Sequence, residues 1–139
     1  MWKYYAILSA IFASLTAIFA KIGIKGIDSN LATAIRTVII LFITWGIVFA
    51  GNNLHGIKEL SKTNWMFLIL SGAATGLSWL FYFKALQLGD ASKVAPIDKL
   101  SVVFTILLAF IILREPISWK VLLGGGLITA GSVILLLGK

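Results

Sequence analysis

Five long apolar runs joined by short polar connections decide what this chain can fold into. They read as spans from about Tyr4 to Ala20, Leu31 to Ala50, Trp65 to Leu88, Ala91 to Leu113 and Trp119 to Leu137. A helix needs about 20 mostly apolar residues to cross the hydrocarbon of a bilayer, so five such helices use roughly 100 positions. With 139 residues in all, no room remains for a separate soluble domain. The fold class is therefore an all-α, polytopic integral membrane protein, a single transmembrane domain over residues 1–139. The composition agrees: 60% of residues are hydrophobic and 12% charged, against about 45–50% apolar in a soluble domain.

The ends of the runs carry interface residues. Trp2 and Lys3 precede the first span and Lys21 and Lys25 follow it, the placement expected at a membrane–water boundary. A cleaved signal peptide also begins with positive charge and an apolar stretch. This one is long, has no clear small-x-small cleavage site and precedes four more spans, so no cleavage is expected. The connection Ile22–Asn30 holds Gly23, Gly26 and the capping run Asp28-Ser29-Asn30. Residues 51–64 are too polar to span and read as a loop with an interfacial turn. Gly89 suits a left-handed C-cap for the third helix, and Asp90 an N-cap for the fourth. Pro96, in the early turns of the fourth span, removes one backbone hydrogen bond and predicts a kink.

The net charge of +7 would point to nucleic acid in a soluble protein, but here the basic residues sit at the edges of apolar runs, where they anchor the interface; no nucleic-acid partner is expected. Five spans put the termini on opposite sides of the bilayer. The N-terminal face then carries Lys3, Lys58, Lys62, Arg114 and Lys120, five charges; the other carries Lys21, Lys25, Lys93 and Lys139, plus Arg36, Lys84 and Lys99 within spans but near that face, seven. Orientation follows a clear excess of Lys and Arg on the cytoplasmic side, and no strong excess exists. Two readings stay open: a weak bias that fixes one orientation, or insertion of copies both ways.

Helices in lipid associate through small residues and interhelical polar contacts. Ala6, Ala10, Ala13, Ala17 and Ala20 form a small stripe on the first span beside Ser9 and Ser14; Gly72 and Gly76 form a G-x-x-x-G; and Gly124-Gly125-Gly126 with Gly131 continue the pattern in the last. On the third span Ser71, Thr75, Ser78 and Tyr82 fall at i, i+4, i+7 and i+11 on one helical face, next to Trp79. A polar stripe at that depth lines a cavity or hydrogen-bonds another helix. Within the spans, Arg36, Lys84, Asp98 and Lys99 share a depth near one face. Arg36 and Lys84 are long enough to snorkel. Asp98 is not, and needs a base among Lys84, Arg36 and Lys99, as a structural pair or as a gate or proton-coupling group. There is no cysteine, one histidine (His55) and no metal-site spacing among the five acids, so no enzyme activity, cofactor or metal is expected.

The run from Tyr82 to Ser101, Tyr-Phe-Lys-Ala-Leu-Gln-Leu-Gly-Asp-Ala-Ser-Lys-Val-Ala-Pro-Ile-Asp-Lys-Leu-Ser, followed by Leu113-Arg114-Glu115-Pro116, closely resembles the EamA domain of the drug/metabolite transporter superfamily. Lys21 after the first span, Arg36 in the second and the Gly-rich last span fit as well, and the resemblance covers essentially the whole chain. Most members carry two such domains in tandem, whereas this sequence holds one copy, like the short bacterial and archaeal branch. The resemblance implies a multi-pass protein of a prokaryotic cell membrane that moves a small metabolite, often outward. Because two fused five-span repeats must lie inverted, a single repeat reproduces that architecture as an antiparallel homodimer. The related four-span exporters place a proton-binding glutamate in the first helix; here that stretch offers only Ser9, Ser14 and Thr16, which disfavours proton and drug antiport of that kind.

The sequence thus supports a transporter with a cavity of Ser71, Thr75, Ser78, Trp79, Tyr82 and Ser14, a charged gate or ion-pair set of Arg36, Lys84, Asp98, Lys99 and Glu115, and a kink at Pro96, with the lipid bilayer, a second copy and a small-molecule metabolite as partners. The competing reading is a non-transporting helical subunit that assembles with another membrane protein. Dual insertion predicts that a cytoplasm-only reporter and an outside-only reporter, each fused after Lys139, both give signal; signal from one alone sinks it.

Overall fold

A computed structural model describes residues 1–138; Lys139, counted above among the charges, lies outside the described residues. The elements in order are α1 (Trp2–Gly23), α2 (Ser29–Ala50), a 3-10 turn (Asn53–Glu59), α3 (Lys62–Leu88), α4 (Ala91–Asp98), α5 (Ser101–Leu108), a π turn (Ala109–Leu113) and α6 (Trp119–Leu137). Among the described residues there are no strands. Five stretches are long and apolar enough to cross a membrane: α1, α2, α3, the Ala91–Leu113 run and α6. Several helices extend past their apolar runs because polar residues cap them. The Asp28 carboxylate accepts from the amides of Asn30 (2.9 Å) and Leu31 (3.1 Å), so α2 starts at Ser29. The Ser61 hydroxyl accepts from the Asn64 amide at 3.1 Å and starts α3 at Lys62, ahead of Trp65. Ser118 does the same for α6 through Val121 at 3.3 Å.

One expected cap takes another form. Asp90 occupies the N-cap of α4 with extended backbone, but its carboxylate makes no capping bond; its carbonyl accepts from Lys93 (3.0 Å) and Val94 (2.9 Å) instead. Left-handed backbone occurs at Gly26 (φ 77°), Asn52 (φ 53°) and Arg114 (φ 56°) among the described residues. The end of α3 is closed from outside the helix, where the Lys21 ammonium donates to the Leu86 carbonyl at 2.6 Å. That charged donor satisfies one of the carbonyls left without a partner at the helix end.

By its contacts the chain forms two compact units, Ala20–Gln87 and Met1–Phe19 together with the chain from Leu88 onward. In the first unit Ile24, Phe83 and Leu86 are buried, with Ser29 and Thr33 on α2. The Gln87 amide donates to the Ile27 carbonyl at 2.9 Å, a second tie between the α1–α2 connection and the end of α3. The second unit packs α4 and α5 against α6. Ala17, alone of the alanine stripe, is fully buried. The Ala91–Leu113 run is interrupted at Lys99–Leu100, three residues beyond Pro96, where the backbone tightens to i→i+3 bonds from Lys99 to Pro96 (3.0 Å) and from Leu100 to Ile97 (2.9 Å). There Ser132 of α6 donates to the Pro96 carbonyl at 2.8 Å.

Gly125 faces α5 so closely that a Cβ would lie 2.6 Å from Cδ1 of Ile106, whereas nothing stands within 4 Å of a Cβ on Gly124. Gly125→Leu is expected to destabilise by about 1–3 kcal/mol through overpacking. Thermal unfolding in detergent checks this, with Gly124→Leu expected to melt close to the native protein.

Candidate functional site

The Ala20–Gln87 unit brings an α2 cation against an aromatic face of α3. Arg36 lies seven residues into α2, about 10 Å along its axis from Ser29. Its guanidinium carbon is 4.3 Å from the centroid of the Trp79 ring and 5.1 Å from that of Phe83. Trp79 and Phe83 are one helical turn apart on α3, so their rings form one surface under the planar cation. Tyr82 extends it, edge-on to Phe83 with ring centroids 6.4 Å apart. The Arg36 Nη1 is buried and has no hydrogen-bond partner. Aromatic faces attract a cation but give its N–H groups no lone pair in the ring plane, so the guanidinium is held with one donor unmet.

The hydroxyls nearby in sequence are already donating. Thr33 donates to the Ser29 carbonyl and Thr37 to the Thr33 carbonyl, both at 2.8 Å, bonds that hold side chains along the helix. On α3, Thr75 likewise donates to the Ser71 carbonyl at 2.9 Å. Ser71, Thr75 and Ser78 are exposed and Trp79 and Tyr82 half-buried, so the stripe faces outward from the chain at the middle of a spanning helix. Ser14, on α1, is also exposed and donates to the Ile11 carbonyl at 2.7 Å.

Asp98, Lys99 and Lys84 have local side-chain partners. Asp98 pairs with Lys99 at 3.3 Å, and both are partly exposed. Lys84 donates to the Gln87 side-chain carbonyl at 3.2 Å. Glu115 is exposed beyond the π turn, where its amide donates to the Ala109 carbonyl at 3.2 Å and Arg114 takes the left-handed conformation. Among the described residues, no three His, Cys, Asp or Glu side chains group as a metal site.

Phe83 and Gln87 were not legible as site residues. Phe83 had a signal, its i+4 spacing from Trp79; Gln87 had none, because its target is a backbone carbonyl 60 residues away.

The family model described as "EamA-like transporter family" matches residues 1–137. A Sinorhizobium sp. protein named "Uncharacterized transporter in cobO 3'region" is 48% identical over 134 residues, which cover 96% of this chain and 95% of that protein. No solved structure matches.

A buried N–H without an acceptor costs about 1–3 kcal/mol, while the cation–π contact returns about 0.5–2 kcal/mol. Arg36→Met, which keeps an apolar stem of similar reach, is therefore expected to melt at or above the native temperature in detergent. A fall of many degrees would mean that Arg36 holds the unit together.

Proposed function

Because the chain belongs to the EamA-like transporter family, we propose that two copies pair antiparallel and carry a small metabolite across the cell membrane, outward, by alternating access. The observation that carries this reading is the exposed stripe Ser71, Thr75 and Ser78 on α3. Hydroxyls at the middle of a spanning helix are cheaper against protein or water than against lipid. A second copy laid over them encloses a polar cavity at the bilayer midplane, where repeat-built transporters place their substrates. The relative named a transporter is matched over 95% of its own length. Pairing restores the two-repeat symmetry that one copy lacks.

Within this reading Ser71, Thr75, Ser78, Trp79 and Tyr82 line the path. The interruption after Pro96, tied by Ser132, is the point about which the fourth span bends when access switches sides. The outward direction rests on the family resemblance alone.

Thr75 is the midpoint of α3, thirteen residues from each end. In an antiparallel pair a midplane residue meets its own copy, whereas residues near the helix ends are carried apart. The chain has no cysteine, so single cysteines report cleanly. Thr75→Cys is expected to cross-link between copies under oxidation in membranes, and Lys62→Cys is not. Cross-linking at both depths would indicate a parallel pair. In proteoliposomes loaded with metabolites that raise the melting temperature of the protein, Thr75→Leu and Ser78→Leu are expected to lose flux while remaining folded. Unchanged flux would make the stripe a packing surface.

A further inference from the structure

We infer that Arg36 is an anion-binding residue, and that the ligand of the Trp79–Phe83 face is a small organic anion whose acidic group bonds the unpartnered Nη1. Three observations converge inside the Ala20–Gln87 unit. The cation lies along a spanning helix, about 10 Å from its start. It is laid on two aromatic rings at 4.3 and 5.1 Å. Its buried Nη1 has no acceptor.

The chain supplies no counter-charge. Of the two acids in this unit, Asp28 is committed to capping α2, and Glu59 lies beyond the opposite end of that helix, in the 3-10 turn. Asp98 is engaged by Lys99. Among the described residues no carboxylate pairs with Arg36. A guanidinium in a water-poor setting needs a negative partner, and its planar fork accepts a carboxylate, phosphonate or phosphate through paired N–H···O bonds. The rings do two jobs. They hold the guanidinium plane so that its edge stays free for an acidic group, and they offer an apolar wall to the rest of the ligand. A cationic ligand would be repelled, and a neutral one would leave the charge unmet.

This inference rests on the transporter reading only in calling the anion a cargo; binding is read separately. The intact protein, in nanodiscs of phosphatidylcholine, is titrated calorimetrically with benzoate, phenylphosphonate, benzamide and benzylammonium. Benzoate or phenylphosphonate is expected to bind at least about tenfold more tightly than the uncharged amide or the cation, the ratio of one charge-assisted hydrogen bond. Arg36→Met is expected to lose that margin, and Arg36→Lys, which keeps the charge without the fork, to lose part of it. Equal binding of benzoate and benzamide by the native protein, or native benzoate affinity in a folded Arg36→Met, overturns the inference. Because the first comparison uses the native protein, a variant that fails to fold does not rescue the idea.

Headgroup phosphate has the same chemistry as a free anion. Repeating the titration in phosphatidylglycerol nanodiscs separates the sources: loss of the benzoate signal there, with Arg36-dependent stabilisation by that lipid, assigns the anion site to a headgroup. Absence of both signals overturns it. Benzoate bound through Arg36 but never transported would sink the transporter reading and leave the anion site standing. Flux of a neutral or cationic solute unaffected by Arg36→Met would do the reverse.

Discussion

In hydrocarbon, a carbonyl released from its helix has no water to turn to, and the fold is organised around meeting that demand from within. Two of the places that release carbonyls are met by side chains distant in sequence, the end of α3 and the break in the fourth span. At the first, Lys21 reaches the Leu86 carbonyl at 2.6 Å. At the second, Ser132 reaches the Pro96 carbonyl at 2.8 Å. Each donor is far away in sequence, so each bond also fixes a tertiary relation: the last turn of α1 to α3, and α6 to α4. The same demand explains why hydroxyls on the spanning helices, Thr16, Thr33, Thr37, Thr44, Thr75 and Thr129, donate to their own helix one turn back.

Against that background Arg36 is the exception that carries meaning. Every other polar device described above satisfies something, whereas the buried Nη1 satisfies nothing. A chain that meets its released carbonyls with 2.6 and 2.8 Å bonds and leaves one guanidinium nitrogen open has left it for another molecule. The aromatic pair beneath it makes the opening directional, since rings hold a cation in place without consuming its in-plane donors.

The spans, their number and their class were legible because a bilayer imposes one length and one composition on whatever crosses it, so the apolar runs showed on their face. Bounds shifted where a polar cap added a turn, as at Ser29 and Lys62. The pairing of helices was far less legible. Asp98 had three bases within plausible reach, and its partner is the adjacent Lys99. At the end of α3, the Leu86 carbonyl accepts from a lysine 65 positions away. Sequence pattern reports which face of a helix is polar; it does not report which carbonyl a long side chain will find. Trp79 was readable as a neighbour of the stripe, while its role under Arg36 depends on how α2 meets α3.

The apolar surface has a further consequence. Among the described residues, the fully buried large or small hydrophobic side chains are Ala17 in one unit and Ile24, Phe83 and Leu86 in the other, and large side chains such as Phe42, Phe81 and Leu127 stay more than 70% exposed. Under the proposed pairing of two copies, such faces are where a second copy would pack, assembly would follow mass action in two dimensions, and the fraction of this protein in working form would depend on how densely the membrane is stocked with it. Expression level, for such a chain, is a structural variable.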